Sequence, residues 1–342
     1  MKQDLFLRLS ILASVLALVV VVLGAFVRLS HAGLGCPDWP GCYGHIDVPL
    51  TQTEVQSANQ AYPDRPVEAH KAWKEMIHRY FAGTLGLLVL ALAIIAIKRR
   101  HQPSQQFIVP VFLVGLIIFQ ALLGMWTVTI KLNPTIVMSH LLGGLATLSL
   151  LWWVTLRQGN FFAIDLQSIP SMSLSKLKTL AMGGLLLVIL QIMLGGWTSA
   201  NYAALHCPDF PTCQGQWLPP TDFKEAFTMW RGTEQNFEGG VLENDARVTI
   251  HLMHRIFAVI VLFYLAALSF FIIFKPALSS LKVAGVVILL VLMLQVGLGI
   301  SNVIFSLPLF VAVAHNGVAA VLLLTLVMLN HILRSGLKHE YT

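Results

Sequence analysis

Lys74-Glu75-Met76-Ile77-His78-Arg79-Tyr80 opens an apolar run that continues to about residue 97. Glu75 and His78 stand three residues apart, so on a helix they share one face with about 4.5 Å of rise between them. A carboxylate and an imidazole entering a membrane helix are costly, and they mark a site facing the bundle interior. The chain then writes a second version, Thr249-Ile250-His251-Leu252-Met253-His254-Arg255, in which His254-Arg255 echoes His78-Arg79 and His251 replaces Glu75. Two similar helix entrances, only one with an acid, is the pattern to explain.

The composition extends the membrane reading to the whole chain. Of 342 residues, 56% are hydrophobic and 11% charged, whereas an ordinary soluble domain is roughly 25% charged. The net charge of +6 comes from basic residues at the ends of apolar runs, so no nucleic-acid partner is expected. The first apolar run reaches about residue 27, too long for a signal-peptide core of roughly 7–15 residues. A bacterial plasma (inner) membrane is the expected home.

Stretches long enough to cross a bilayer, roughly 20 residues each, fall at about 8–28, 76–97, 107–130, 135–156, 178–198, 248–273, 281–304 and 309–333. The expected fold is an all-α membrane protein with eight transmembrane helices. With the N-terminus inside, the inner segments hold Lys2, Arg8, Lys98, Arg99, Arg100, Arg157, Lys176, Lys178, Lys275, Lys282, Arg334 and Lys338, against the acids Asp4, Asp165 and Glu340. The short outer turns carry only Lys131. The Lys/Arg bias thus sets both termini inside and both long polar loops, about 29–75 and 199–247, outside.

An internal repeat divides the chain. Cys36-Pro37-Asp38-Trp39-Pro40-Gly41-Cys42-Tyr43-Gly44 returns as Cys207-Pro208-Asp209-Phe210-Pro211-Thr212-Cys213-Gln214-Gly215, 171 residues later. His78 returns as His254 after 176 residues and His140 as His315 after 175. Each half holds four spans, an even number, so both enter the membrane the same way up and form two pseudo-symmetric four-helix bundles related by an axis along the membrane normal. The expected division is an N-terminal half at 1–160, a cytoplasmic linker at 161–175 and a C-terminal half at 176–342.

The four cysteines form two C-x5-C pairs in the outer loops. That spacing departs from the usual zinc pattern, and an oxidising compartment favours the disulfides Cys36–Cys42 and Cys207–Cys213 as loop staples. A redox-active pair passing electrons onward stays open.

His78, His140, His254 and His315 lie in spans two, four, six and eight, each roughly 6–10 Å from the outer end at 1.5 Å per residue. Two imidazoles on two parallel helices at one depth suit a planar iron macrocycle held between helices. Gly143-Gly144 and Gly317 would leave room for the ring, and Arg79, Arg255 and Arg28 are candidates to pair with its propionates. His251 lies one turn before His254, as a second-shell donor or relay. For any single imidazole the alternative is a hydrogen-bonded packing role, and a zinc or copper site is a further one. His31, His45, His70, His101, His206, His331 and His339 read as solvated. Glu75 either offsets a helix dipole and pairs with Lys71 or Arg79, or handles protons beside a bound porphyrin.

Together, eight spans in two halves, Glu75-x-x-His78-Arg79, His140, His254-Arg255, His315 and the paired loop cysteines resemble the haem A synthase family (CtaA/Cox15), over essentially the whole chain. The resemblance implies an enzyme that oxidises a methyl group of haem O to the formyl group of haem A for terminal oxidases. It implies that His254 and His315 ligate the iron of a resident haem b, that His78 and His140 flank the substrate haem, and that Glu75 is the carboxylate needed for turnover. Cys36 and Cys42 match a pair that some members have and others lack. A second haem supplies a short electron relay, and a lipid-facing opening for the substrate's isoprenoid tail is expected, with Phe81, Leu123 and Met138 as candidate lining. Haem O synthase, an electron donor or acceptor, membrane lipid and a second copy of the chain are the expected partners. A di-haem b-type cytochrome oxidising quinol, or a haem carrier, would use the same histidines but gives Glu75 no task.

Overall fold

A computed structural model of the chain describes residues 5–102, 105–159, 161 and 169–335. Lys2, Asp4, Asp165, Lys338, His339, Glu340 and the stretch 162–168 of the expected linker lie outside the described residues. Among the described residues, eight helices are long and apolar enough to cross a membrane. They are Leu5–Leu29, Ala69–Lys98, Ile108–Thr129, Pro134–Gly159, Ser171–Ala200, Asn244–Phe274, Lys282–Ile304 after a 3-10 turn at Pro276–Leu281, and Leu309–Ser335. We call them spans one to eight. In hydrocarbon every peptide group must be satisfied within its own segment, and this drives runs of these residues into helix.

Spans two, five and six begin earlier than hydropathy suggests, at Ala69, Ser171 and Asn244 rather than 76, 178 and 248. Apolarity marks only the part of a helix that needs a dry environment, whereas main-chain bonding continues into the polar flank. His78 and His254 therefore lie about 14 and 15 Å from their own helix starts, and His140 and His315 about 9 Å from theirs.

Spans one to four close into a ring of neighbours, one on two, two on three, three on four and four on one. Spans five to eight close in the same order, and spans one, four, five and eight pack the two rings together. Buried polar bonds pin matching pairs: Ser14 to Thr155 between spans one and four, and Asn330 to the Ala181 carbonyl between spans eight and five. Away from the cysteine loops, one apolar core runs through both rings, from Phe6 and Leu148 to Leu265 and Leu329.

The odd-numbered spans all end alike. N–H groups of Ala32, Leu132, Ala203 and Leu307 reach back five residues to the carbonyls of Val27, Thr127, Thr198 and Asn302. The residue before each of those donors, His31, Lys131, Tyr202 or Ser306, has a φ between 45° and 55°. This is the Schellman termination, met here four times without glycine.

Both cysteine pairs are disulfides, and both loops carry an antiparallel bridge just beyond, Cys42 with His45 and Cys213 with Gln216. Asp38 accepts from the amides of Tyr43 and Gly44, as Asp209 does from those of Gln214 and Gly215. Beyond this common turn the loops diverge. The first continues into a helix, Gln52–Ala61, started by a Thr51–Glu54 capping box. The second crosses to the other ring: Phe237 donates to the Lys131 carbonyl, Asn133 to Gly232 and Thr135 to Met229. It buries Leu132 and Asn133 in the turn between spans three and four, while their counterparts between spans seven and eight, Leu307 and Pro308, are half-buried. An ion pair between Arg65 and Glu238 ties the two loops together.

Candidate functional site

Each of the four intramembrane histidines faces a glycine on the preceding span. A methyl group added to Gly24, Gly124, Gly195 or Gly299 would lie 3.1, 3.4, 3.1 or 3.0 Å from Cε1 of His78, His140, His254 or His315. Each glycine stands five residues before its helix's last residue, Leu29, Thr129, Ala200 or Ile304. All four imidazoles are therefore presented at one level, about 7.5 Å below the ends of the odd spans. The absent Cβ lets an imidazole lie against the neighbouring backbone, which is the reason these positions are glycine.

His78 and His140 are close enough to interact electrostatically, as are His254 and His315. The pairs thus form within halves. Nδ1 of His78 and of His140 is buried with no hydrogen-bond partner. Among the described residues, no three or more His, Cys, Asp or Glu converge on a metal ion, so a zinc or copper cluster has no donor set there. Paired imidazoles, unpartnered ring nitrogens and glycine cradles fit axial ligation of an iron porphyrin.

Glu75 is 5% exposed and is the one buried carboxylate among the described residues. Its oxygens accept from Arg79 and, at 3.0 Å, from the amide of Cys36. Lys71, the other proposed partner, pairs with Glu68 instead. In the second half His251 fills the equivalent place, and its Nε2 accepts from Arg255 Nε at 3.2 Å. Carboxylate and imidazole thus hold the same arginine position one turn on.

The arginines themselves point at the cysteine loops. Arg79 donates to the carbonyls of Asp38, Pro40 and Gly41, and Arg255 to those of Cys207, Asp209 and Thr212. Each guanidinium clamps a disulfide loop onto the helix that carries a histidine. Arg28 reaches across to the other half, donating to the Ser199 carbonyl at 2.6 Å and lying over the Tyr202 ring. It caps the C-terminal end of span five, where cations are favoured, and Tyr202 in turn stacks on His31.

Two of the glycines expected beside the ring sit against neighbouring spans. Gly143 lies under the Gln120 amide, and Gly317 meets Val22 between spans eight and one, so these glycines admit neighbouring side chains. Leu123 and Met138 are buried in helix packing, and Phe81 faces outward. His331 is buried and His206 half-buried, contrary to a solvated reading. Burial and the nearby Arg247 hold the His206 imidazole below its ordinary pKa.

Sequence reasoning passed over the four glycines. A signal was present: Val20-Val-Val-Leu-Gly24, Gln120-Ala-Leu-Leu-Gly124, Gln191-Ile-Met-Leu-Gly195 and Gln295-Val-Gly-Leu-Gly299 recur at the same 171- and 175-residue offsets as the cysteines and histidines.

Fold and site together define a polytopic helical membrane protein with two intramembrane imidazole pairs, one beside a buried acid. The chain belongs to the cytochrome oxidase assembly protein family COX15-CtaA, whose sequence profile matches residues 7–327. It is 48% identical over 319 residues to the haem A synthase of Shewanella oneidensis, covering 93% of this chain and 94% of that protein. The haem A synthases of Shouchella clausii (31% over 226 residues, 64% of this chain and 67% of the relative) and Halalkalibacterium halodurans (26% over 322 residues, 92% of each) are also similar.

Proposed function

We propose that this chain is a haem A synthase: an oxidoreductase of the bacterial inner membrane that converts the methyl substituent of haem O to the formyl group of haem A. The observation that carries the reading is the inequality of two otherwise matched imidazole pairs, since only the His78–His140 pair has a buried carboxylate, Glu75, one turn away. The substrate haem belongs between His78 and His140. His254 and His315 would hold haem b, which when bound would supply one-electron transfer between the substrate site and an external partner.

Oxidising a methyl group to a formyl group takes two hydroxylations and the loss of water from the geminal diol, so protons must move through a dry site. Glu75 is the group able to relay them, with its charge balanced by Arg79. The Cys36 amide fixes the other carboxylate oxygen and aligns it with the loop. His78 and His140 fix the ring plane, while the second long loop, resting on Asn133 and Thr135, shields this half from water. The two four-helix rings act as pseudo-symmetric halves, with both termini in the cytoplasm, the disulfide loops on the periplasmic side and the linker inside. Arg28, Arg79, Arg255 and His251 form the supporting shell of the two haems. Haem O synthase is the expected supplier of substrate.

The test is mass spectrometry of haems extracted after expression with a source of haem O. The wild type yields a formyl-bearing haem, and Glu75→Ala yields none while keeping haem b. A di-haem cytochrome or a haem carrier would return only the haems supplied, and conversion surviving Glu75→Ala removes the catalytic assignment.

A further inference from the structure

Three glutamines within the spans, Gln120 buried and Gln191 and Gln295 half-buried, have no task in this reading. Gln120, Gln191 and Gln295 each stand four residues before a histidine-facing glycine, and Val20 holds that place in span one. A four-residue step is one helical turn on the same face, so each of the four histidines has one such position beside its glycine.

The two halves fill those positions differently. In the second half, Gln191 Nε2 lies 3.1 Å from His254 Nδ1, 3.5 Å from its Nε2 and 3.1 Å from its main-chain carbonyl, and Gln295 Nε2 lies 3.3 Å from both ring nitrogens of His315. The carbonyl oxygens Oε1 of both amides are buried without a partner. In the first half, Val20 offers no polar group. Gln120 reaches past His140 onto Gly143, where a Cβ would meet its Nε2 at 1.8 Å, and that Nε2 has no partner. Nδ1 of His78 and of His140 is left bare as well.

An imidazole that binds metal through one nitrogen carries N–H on the other, and that N–H needs an acceptor to fix the ring and raise its basicity. An amide holds donor and acceptor at interchangeable ends. Turned end for end, Gln295 presents its unpartnered oxygen to a ring N–H; Gln191 does so by also swinging away from the His254 carbonyl, to which its Nε2 donates at 3.1 Å.

Resting on the haem reading of the two pairs, we infer that Gln191 and Gln295 are positioning residues that make the His254–His315 pair a permanent haem site. The missing amide at Val20 and the displaced Gln120 leave the His78–His140 pair a weaker ligand set, from which a product porphyrin can depart. One fold thereby builds a retained cofactor and an exchangeable substrate from the same four histidines.

The experiment compares full-length wild type with Gln191→Leu, Gln295→Leu and Val20→Gln in detergent, using apomyoglobin as haem scavenger and electron paramagnetic resonance of the ferric protein. Leu at either position accelerates loss of haem b by about 10–100-fold and shifts its low-spin signal. Val20→Gln slows loss of haem O loaded into the first half and leaves the haem b rate unchanged. Leu variants that keep the wild-type rate and signal overturn the role of the amides. An unchanged haem O rate in Val20→Gln, with wild-type haem b content showing that the variant has folded despite the apolar packing lost at Val20, overturns the account of exchange. A His254→Ala control separates this from the reading beneath it: if wild type holds no more haem than that variant, the haem assignment itself fails.

Discussion

The two halves of this molecule share spans, cysteine loops and imidazole pairs, and differ where chemistry is decided. The first half has Glu75 where the second has His251, and each contacts an arginine four residues on. The first half's imidazoles stand without side-chain hydrogen bonds, while the second's meet Gln191 and Gln295. The second half's loop covers the turn between spans three and four and buries Leu132 and Asn133, whereas their counterparts Leu307 and Pro308 between spans seven and eight are half-buried. A repeat keeps what positions the ring and varies what touches its periphery. Repetition thus supplies a frame, and function lies in the departures from it.

The largest contrast to break is that between His140 and His315, equivalent positions 175 residues apart. On the proposed reading, His315→Ala is expected to abolish haem b binding, and His140→Ala to retain haem b and lose conversion. Pyridine haemochrome spectra for the bound haem, together with mass spectrometry for the product, read both. Equal haem b loss in the two variants would collapse the division of labour.

A smaller contrast concerns the clamps. Arg79→Ala strips a buried carboxylate of its partner and is expected to destabilise by about 3–5 kcal/mol. Arg255→Ala leaves only neutral carbonyls and an imidazole unpaired, for about 1–3 kcal/mol. Thermal unfolding in detergent measures both, and a larger loss for Arg255→Ala would mean that the Glu75 carboxylate is not held by Arg79.

The smallest effect sharpens the comparison at the second loop. The Thr212 hydroxyl, followed by the amides of Gly215 and Gln214, holds the Asp209 carboxyl down to about 2, below the value of about 3.9 for an unfolded chain. A folded value below the unfolded one adds stability that is complete above pH 4 and drains away as pH falls through 2. Normalised hydrogen-exchange protection at Gln214 and Gly215 should fall over that window in wild type. It should be low and flat in Asp209→Asn; a wild-type profile in that variant would show that the carboxylate does not organise the turn.

Much of this was legible in the chain itself, for particular reasons. Hydrocarbon admits only helices of a certain length, so apolar runs counted out the eight spans, missing only helix flanks such as Ala69–Trp73 where main-chain bonding outlasts apolarity. The cysteine pairs and the four histidines announced themselves because each residue type is scarce in such surroundings and recurs at offsets within a few residues of one another, 171 to 176. The glycines facing the histidines were equally periodic, but glycine is common, and its use here depends on which helix lies opposite.

Sequence by itself therefore determined the spans, the repeat and the residue types of the site, because each follows from the solvent a segment must meet or from repetition along the chain. Tertiary structure alone decided that Arg79 and Arg255 turn to the loops, that Arg28 crosses to span five, that Gln191 and Gln295 reach imidazoles while Gln120 does not, and that the second loop covers the first half. Those outcomes rest on which rotamers and chain crossings fill the space between elements far apart in sequence, and no local pattern carries that information.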